Sequence, residues 1–178
     1  QRVAVSRDHD ERVGRALEYL RRTVADGAVV YGVNTGFGSL QSARIRDSDL
    51  ERLQVNLIRS HACGTGRVVT HEIVRLMLFL KARALLYGFS GVRRSTIDRL
   101  LSHLEHDVLP VVYQQGSLGA SGDLAPLAHL CLPLIGEGDV YYEGEVHHSL
   151  DVLHRLGWEP LRLEMKEGLA LLNGTQFM

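Results

Sequence analysis

Apolar residues recur at helical spacing along most of this chain. Val13, Leu17 and Leu20 share one face of a segment that follows Ser6 or Asp8, runs to about Asp26 and stops at Gly27, which predicts a first helix. Tyr31 to Leu40 is too glycine-rich for a helix or central strand and reads as a loop. A second helix begins at the capping box Ser48 to Glu51 and carries Leu50, Leu53, Leu57 and Ile58 toward Gly64. From Thr70 to Gly88 a third helix is apolar nearly all the way round, a pattern that buries inside a domain or at a subunit interface. A fourth covers about Ser95 to Val108 and ends before Pro110. Leu124 to Leu130 forms a further helix, with Pro126 early in it where a missing N–H costs least. Asp139 to His147 alternates around Glu143-Gly144 and predicts a small hairpin. Helices from Ser149 to Leu156 and around Lys166 to Leu172 complete a fold that is mainly α with minor β.

Composition bounds the function classes. With 178 residues, 45% of them apolar, the chain can bury a core and reads as one domain over residues 1–178. A formal net charge of -1 with interspersed signs gives no basic footprint for nucleic acid. Leu76 to Phe89, the most apolar stretch, is interrupted by Lys81 and Arg83, so neither a membrane span nor a signal peptide is expected, and a cytoplasmic location is. Cys63 and Cys131 lack metal-ligand spacing and read as buried free thiols. His71-Glu72 opens the zinc motif H-E-x-x-H, but Arg75 stands where its second histidine must be. His103, His106, His147 and His148 find no further ligands in sequence and read as solvated or capping residues, so no metal is expected. Gly64-Thr65-Gly66 and Gly36-Phe37-Gly38 lack the third glycine of a dinucleotide fingerprint.

The chemistry concentrates in Gly116 to Leu130, GSLGASGDLAPLAHL. Attack of the Gly122 amide nitrogen on the Ala120 carbonyl requires a tight backbone that glycine tolerates best, and Ala120 adds little bulk. Loss of one water closes a five-membered ring. Loss of the Ser121 hydroxyl as a second water leaves a methylene conjugated with the ring carbonyl, a methylidene-imidazolone. Free N–H groups at the following helix start favour negative charge on the ring oxygen. The same residues also serve as an ordinary turn and N-cap. A nucleophile elbow, G-x-S-x-G, is the other competitor, and it fails because Asp123 replaces its last glycine.

Four blocks together give the triplet a context: YGVNTGFGSL (31–40), NLIRSHACGTG (56–66), GSLGASGDLAPLAHL (116–130) and KEGLALLNGTQ (166–176). In their order, and over nearly the whole chain, they resemble the histidine and aromatic amino acid ammonia-lyase family. The resemblance implies the N-terminal, prosthetic-group-bearing part of the helical ammonia-lyase fold. It implies a methylidene-imidazolone (MIO) group formed autocatalytically from Ala120, Ser121 and Gly122, with Asp123 orienting the cyclising turn and no metal or nucleotide. Tyr31 is then the general base for the substrate β-proton, and the YGVNTGFG loop a lid. A phenol is a weak acid, so that role needs nearby positive charge or a helix N-terminus. Asn173 would hydrogen-bond the MIO carbonyl oxygen, although Asn173-Gly174 also fits a plain helix C-cap. Asn34 and Gln176 are further substrate-side candidates.

Ser60-His61 occupies the family's selectivity position, and Ser-His resembles the histidine enzymes. The resemblance therefore implies L-histidine as substrate, giving trans-urocanate and ammonia, with His61 holding the imidazole or carboxylate. A tyrosine ammonia-lyase or tyrosine 2,3-aminomutase is the alternative within the family. Family members run well over twice this length and form homotetramers. The expectation is thus a piece ending before the central helical bundle, with activity belonging to the complete enzyme. A non-catalytic isolated fragment with uncyclised Ala-Ser-Gly is the alternative of another class.

Overall fold

Ser6 opens the first helix, as its place before the apolar periodicity predicts. Its Oγ accepts the His9 amide at 3.5 Å, and α1 spans Arg7–Ala25 with Val13 and Leu20 buried. The computed structural model describes residues 3–37, 45–116 and 122–178. Ala120 and Ser121, and positions 38–40 of the glycine-rich loop, lie outside the described residues.

The second helix corrects the expected capping box. A 3₁₀ turn over Asp47–Asp49 takes its place, and α2 (Leu50–His61) starts after Asp49 without a side-chain cap. The turn itself satisfies the early amides, since Asp49 N–H donates to the Arg46 carbonyl at 2.8 Å, and the Asp49 carboxylate is drawn to Arg52. Strand β1 (Thr65–Val68) leads into α3 (His71–Leu86) and α4 (Arg94–Glu105). Strands β2 (Leu109–Pro110) and β3 (Tyr113–Gln115) precede α5 (Leu124–Cys131). The expected hairpin forms as β4 (Asp139–Tyr142) and β5 (Glu145–His148), with Glu143 and Gly144 both at positive φ in its turn. Helices α6 (Ser149–Arg155) and α7 (Glu167–Leu172) complete the order of elements.

Among the described residues the strands form two small antiparallel sheets: β1 pairs with β3, and β2 adds to β4 and β5 as a third strand. The main core lies where α2, α3, α4, α5 and α7 meet, around Ile58, Met77, Leu78, Ile97, Leu100, Leu127 and Leu171. A smaller cluster of Val108, Val140 and Val152 packs beneath Trp158. One face of α3 enters the core through Val74, Met77, Leu78, Lys81, Ala82 and Leu85, while Ile73, Leu76, Phe79 and Leu80 face outward.

Two further sequence expectations change. Cys63 is exposed, because it lies in the loop after α2 and not on a core-facing helix position; Cys131 is buried and both thiols are free. His103 is fully buried, not solvated: it lies on the core side of α4, its Nδ1 bonded to the Arg99 carbonyl at 2.9 Å and its ring against Trp158. His106, one turn on, caps α4 from an exposed position. Among the described residues no group of three His, Cys, Asp or Glu side chains is placed to hold a metal, and no helix is long and apolar enough to cross a membrane.

Candidate active site

Helices α5 and α7 pack together, and their adjoining ends build the site. At the start of α5, Gly122 has φ +79°, in the left-handed region that glycine enters without strain. It forms a parallel bridge with Gly174, just past α7, and the Asp123 amide donates to the Gly174 carbonyl at 3.4 Å. The Asp123 carboxylate is buried. Its Oδ2 accepts the amides of Phe177 at 2.7 Å and Met178 at 3.0 Å. Gly122 and Asp123 therefore hold the segment after α7 at Gly174, Phe177 and Met178, beside the last residue of the Ala-Ser-Gly triplet.

Asn173 is the C-cap of α7 and takes an extended conformation that leaves its side chain exposed. Its backbone carbonyl accepts the ammonium of Lys81 at 2.8 Å. Burial pushes the Lys81 pKa down to about 8, against an opposing influence of Cys131, whose own pKa burial raises to about 12. The Gln176 carboxamide folds over Gly174, where any Cβ would collide with it, and its Oε1 is buried without a partner among the described residues.

The Tyr31 loop also packs on α7. Gly32 packs directly on Leu169, leaving no room for a side chain, and the Tyr31 ring stands edge-on to Phe37 at 6.0 Å. Tyr31 is 54% exposed, so its hydroxyl has room to meet a small molecule. Asn34 is buried and inward. Its Nδ2 donates to the Ala28 carbonyl and its Oδ1 accepts the Val30 amide, both at 2.8 Å, so both ends of the amide close the loop on itself.

Ser60 and His61 end α2, which packs against both α5 and α7. Ser60 Oγ donates to the Leu57 carbonyl at 2.9 Å, and His61 Nδ1 lies 2.8 Å from the same oxygen. That contact puts a proton on Nδ1 and turns Nε2 of the half-buried ring away from the helix. Beyond it, the Gly64 amide donates to Nε2 of His129 at 2.9 Å. His129 is thus the neutral Nδ1–H tautomer, its pKa lowered by burial, and it ties the loop after His61 to α5.

Buried groups that no motif marks support this site. Glu167, at the first turn of α7, binds Arg93 Nε at 3.2 Å, Thr96 Oγ1 at 2.6 Å and the Glu164 amide at 2.9 Å. Lys81 did carry a signal, as a charge inside the most apolar stretch of the chain. Glu167, the half-buried His129 and the buried Gln54, whose Oε1 accepts the Leu169 amide at 3.3 Å, carry none, because their partners are far away in sequence.

The family model described as aromatic amino acid lyase matches residues 1–178. A histidine ammonia-lyase of Geobacillus thermodenitrificans (strain NG80-2) is 53% identical over 176 residues, which is 99% of this chain and 35% of that protein. The crystal structure of histidine ammonia-lyase from Trypanosoma cruzi superposes with TM-score 0.89 at 40% identity, covering 99% of this chain and 34% of that one. Tyrosine aminomutase from Streptomyces globisporus gives TM-score 0.89 at 34% identity over 98% of this chain and 33% of that one. The chain spans about a third of the length of the relatives it matches.

Proposed function

Because the chain belongs to the aromatic amino acid lyase family, we propose that it forms the MIO-bearing part of an enzyme that eliminates ammonia from L-histidine to give trans-urocanate. The pairing of Gly122 with Gly174 carries this reading. It sets Asn173 and Asp123 beside the last residue of a triplet able to cyclise, and the left-handed Gly122 suits the tight backbone that cyclisation requires. MIO, when formed from Ala120, Ser121 and Gly122, supplies an electrophilic methylene that makes the substrate amine a better leaving group.

The residues of the chain do the rest. Asp123 holds the segment at 173–178 and orients the turn in which the group forms. Asn173, with its backbone fixed and its carboxamide exposed, donates to the oxygen on which negative charge develops. Tyr31 takes the β-proton from a loop that Asn34 makes rigid and that seats on α7 through Gly32. His61, its Nδ1–H spent on the helix, presents Nε2 to the substrate's imidazole or carboxylate. Ser60 and Gln176 line the same region. The complete enzyme, proposed to be a cytoplasmic homotetramer, supplies the remaining substrate contacts.

The structural similarity to tyrosine aminomutase favours one second reading, release of a β-amino acid from L-tyrosine in place of urocanate. The full-length protein, incubated with L-histidine and with L-tyrosine and its products identified by NMR, separates the two. Urocanate and ammonia are the expected products; β-tyrosine alone overturns the assignment.

A further inference from the structure

Lys81 sits in the middle of α3 with 1% of its surface exposed, flanked on the same face by Met77, Leu78, Ala82 and Leu85. An aliphatic side chain would fill this position without the cost of taking an ammonium out of water. The ammonium reaches the Asn173 carbonyl, an orphan acceptor at the negative end of α7. Immediately after that carbonyl the chain is bridged to Gly122 at Gly174, and Asp123 holds it again at Phe177 and Met178. Two buried groups of opposite charge, on α3 and at the start of α5, thus grip one short segment at its two ends. Both use only its backbone, which leaves the Asn173 carboxamide outside.

We propose that Lys81 is a positioning residue: its buried ammonium fixes the Asn173 backbone, and through it the Asn173 carboxamide and the Gly122–Gly174 pairing. The proposal rests on the catalytic reading of Asn173 given above. A lysine that merely filled the core would be replaceable by methionine, which is one atom shorter, similarly unbranched and easier to bury. A positioning lysine would not be, since small displacements of an aligned donor cost about 100-fold in rate.

The test uses the full-length protein with Lys81→Met and Lys81→Gln. By hydrogen–deuterium exchange, peptides covering 166–178 should exchange at least about tenfold faster in Lys81→Met while those of α4 are unchanged, with the unfolding midpoint moving by less than about 5 °C. On L-histidine, kcat should fall by about 100-fold with KM within about threefold, and Lys81→Gln, a neutral donor of shorter reach, should lie between. If Lys81→Met does not fold, Lys81→Gln decides by the same two readouts. Unchanged exchange at 166–178, or an unchanged kcat in either variant, overturns the role of Lys81. Failure of the unsubstituted protein to turn over L-histidine sinks the catalytic reading instead, and the exchange measurement still decides whether Lys81 holds the segment.

Discussion

The Asp123 carboxylate accepts the Phe177 amide at 2.7 Å from 54 positions away in the chain. Together with the Met178 amide at 3.0 Å, this bond makes the residue after the triplet the anchor of the segment that carries Asn173. Replacing Asp123 by asparagine turns a charged acceptor for two donors into a neutral one with donors of its own. The expected cost is on the order of 1–3 kcal/mol in denaturant unfolding, with incomplete loss of water from the triplet by intact mass. A variant that matches the unsubstituted protein in both measurements removes Asp123 from this role.

Glu167 is buried at 1% exposure and bound to Arg93 and Thr96. Burial alone would raise its pKa. The hydrogen bonds from Arg93, Thr96 and the Glu164 and Arg93 amides together outweigh burial and hold it below the usual carboxylate range. A carboxylate depressed in the native state contributes stability above its unfolded pKa, and loses it as pH falls through the native one. Glu167→Gln should therefore destabilise by about 3 kcal/mol at pH 7, and its penalty should shrink in acid below about pH 4. Equal stability of the two proteins at pH 7 is the contrary result.

His103 gives a second pH dependence in a separate window. Burial pushes its pKa down to about 4, helped by the charges of Arg99 and His106 and opposed by its bond to the Arg99 carbonyl. Between about pH 6.5 and 4 the unfolded chain takes up a proton that the native ring refuses. Stability should thus be full above pH 6.5 and fall by on the order of 3 kcal/mol toward pH 4. Denaturant titrations of the unsubstituted protein and His103→Phe across that range should show the slope in the first and a flatter profile in the second. Parallel profiles would show that His103 titrates normally.

Much of the fold is legible in sequence because amphipathic periodicity reports burial directly. Ser6 and Gly27 bracket α1 within a residue or two of its observed ends, and Glu143-Gly144 marks the hairpin turn. The three-stranded sheet is not legible, since β2 is only Leu109–Pro110, too short for any alternation, with proline against strand formation. Nor is the burial of His103, because a histidine on an amphipathic helix carries no mark of which side of the polar boundary it occupies. At the site, Tyr31, Asp123 and Asn173 can be named from motifs, but nothing in the sequence says that Asp123 binds backbone near 177 or that Lys81 reaches residue 173. Those contacts depend on how α3, α5 and α7 pack.

The claim that this chain makes its own electrophile is tested most directly by the intact mass of the full-length protein beside its Ser121→Ala variant. The unsubstituted protein should be lighter than its sequence mass by two waters, and Ser121→Ala, which has no hydroxyl to lose, should fail to show the two-water deficit and should lose turnover of L-histidine. An unsubstituted protein at its full sequence mass, or a Ser121→Ala variant that retains turnover, would contradict it.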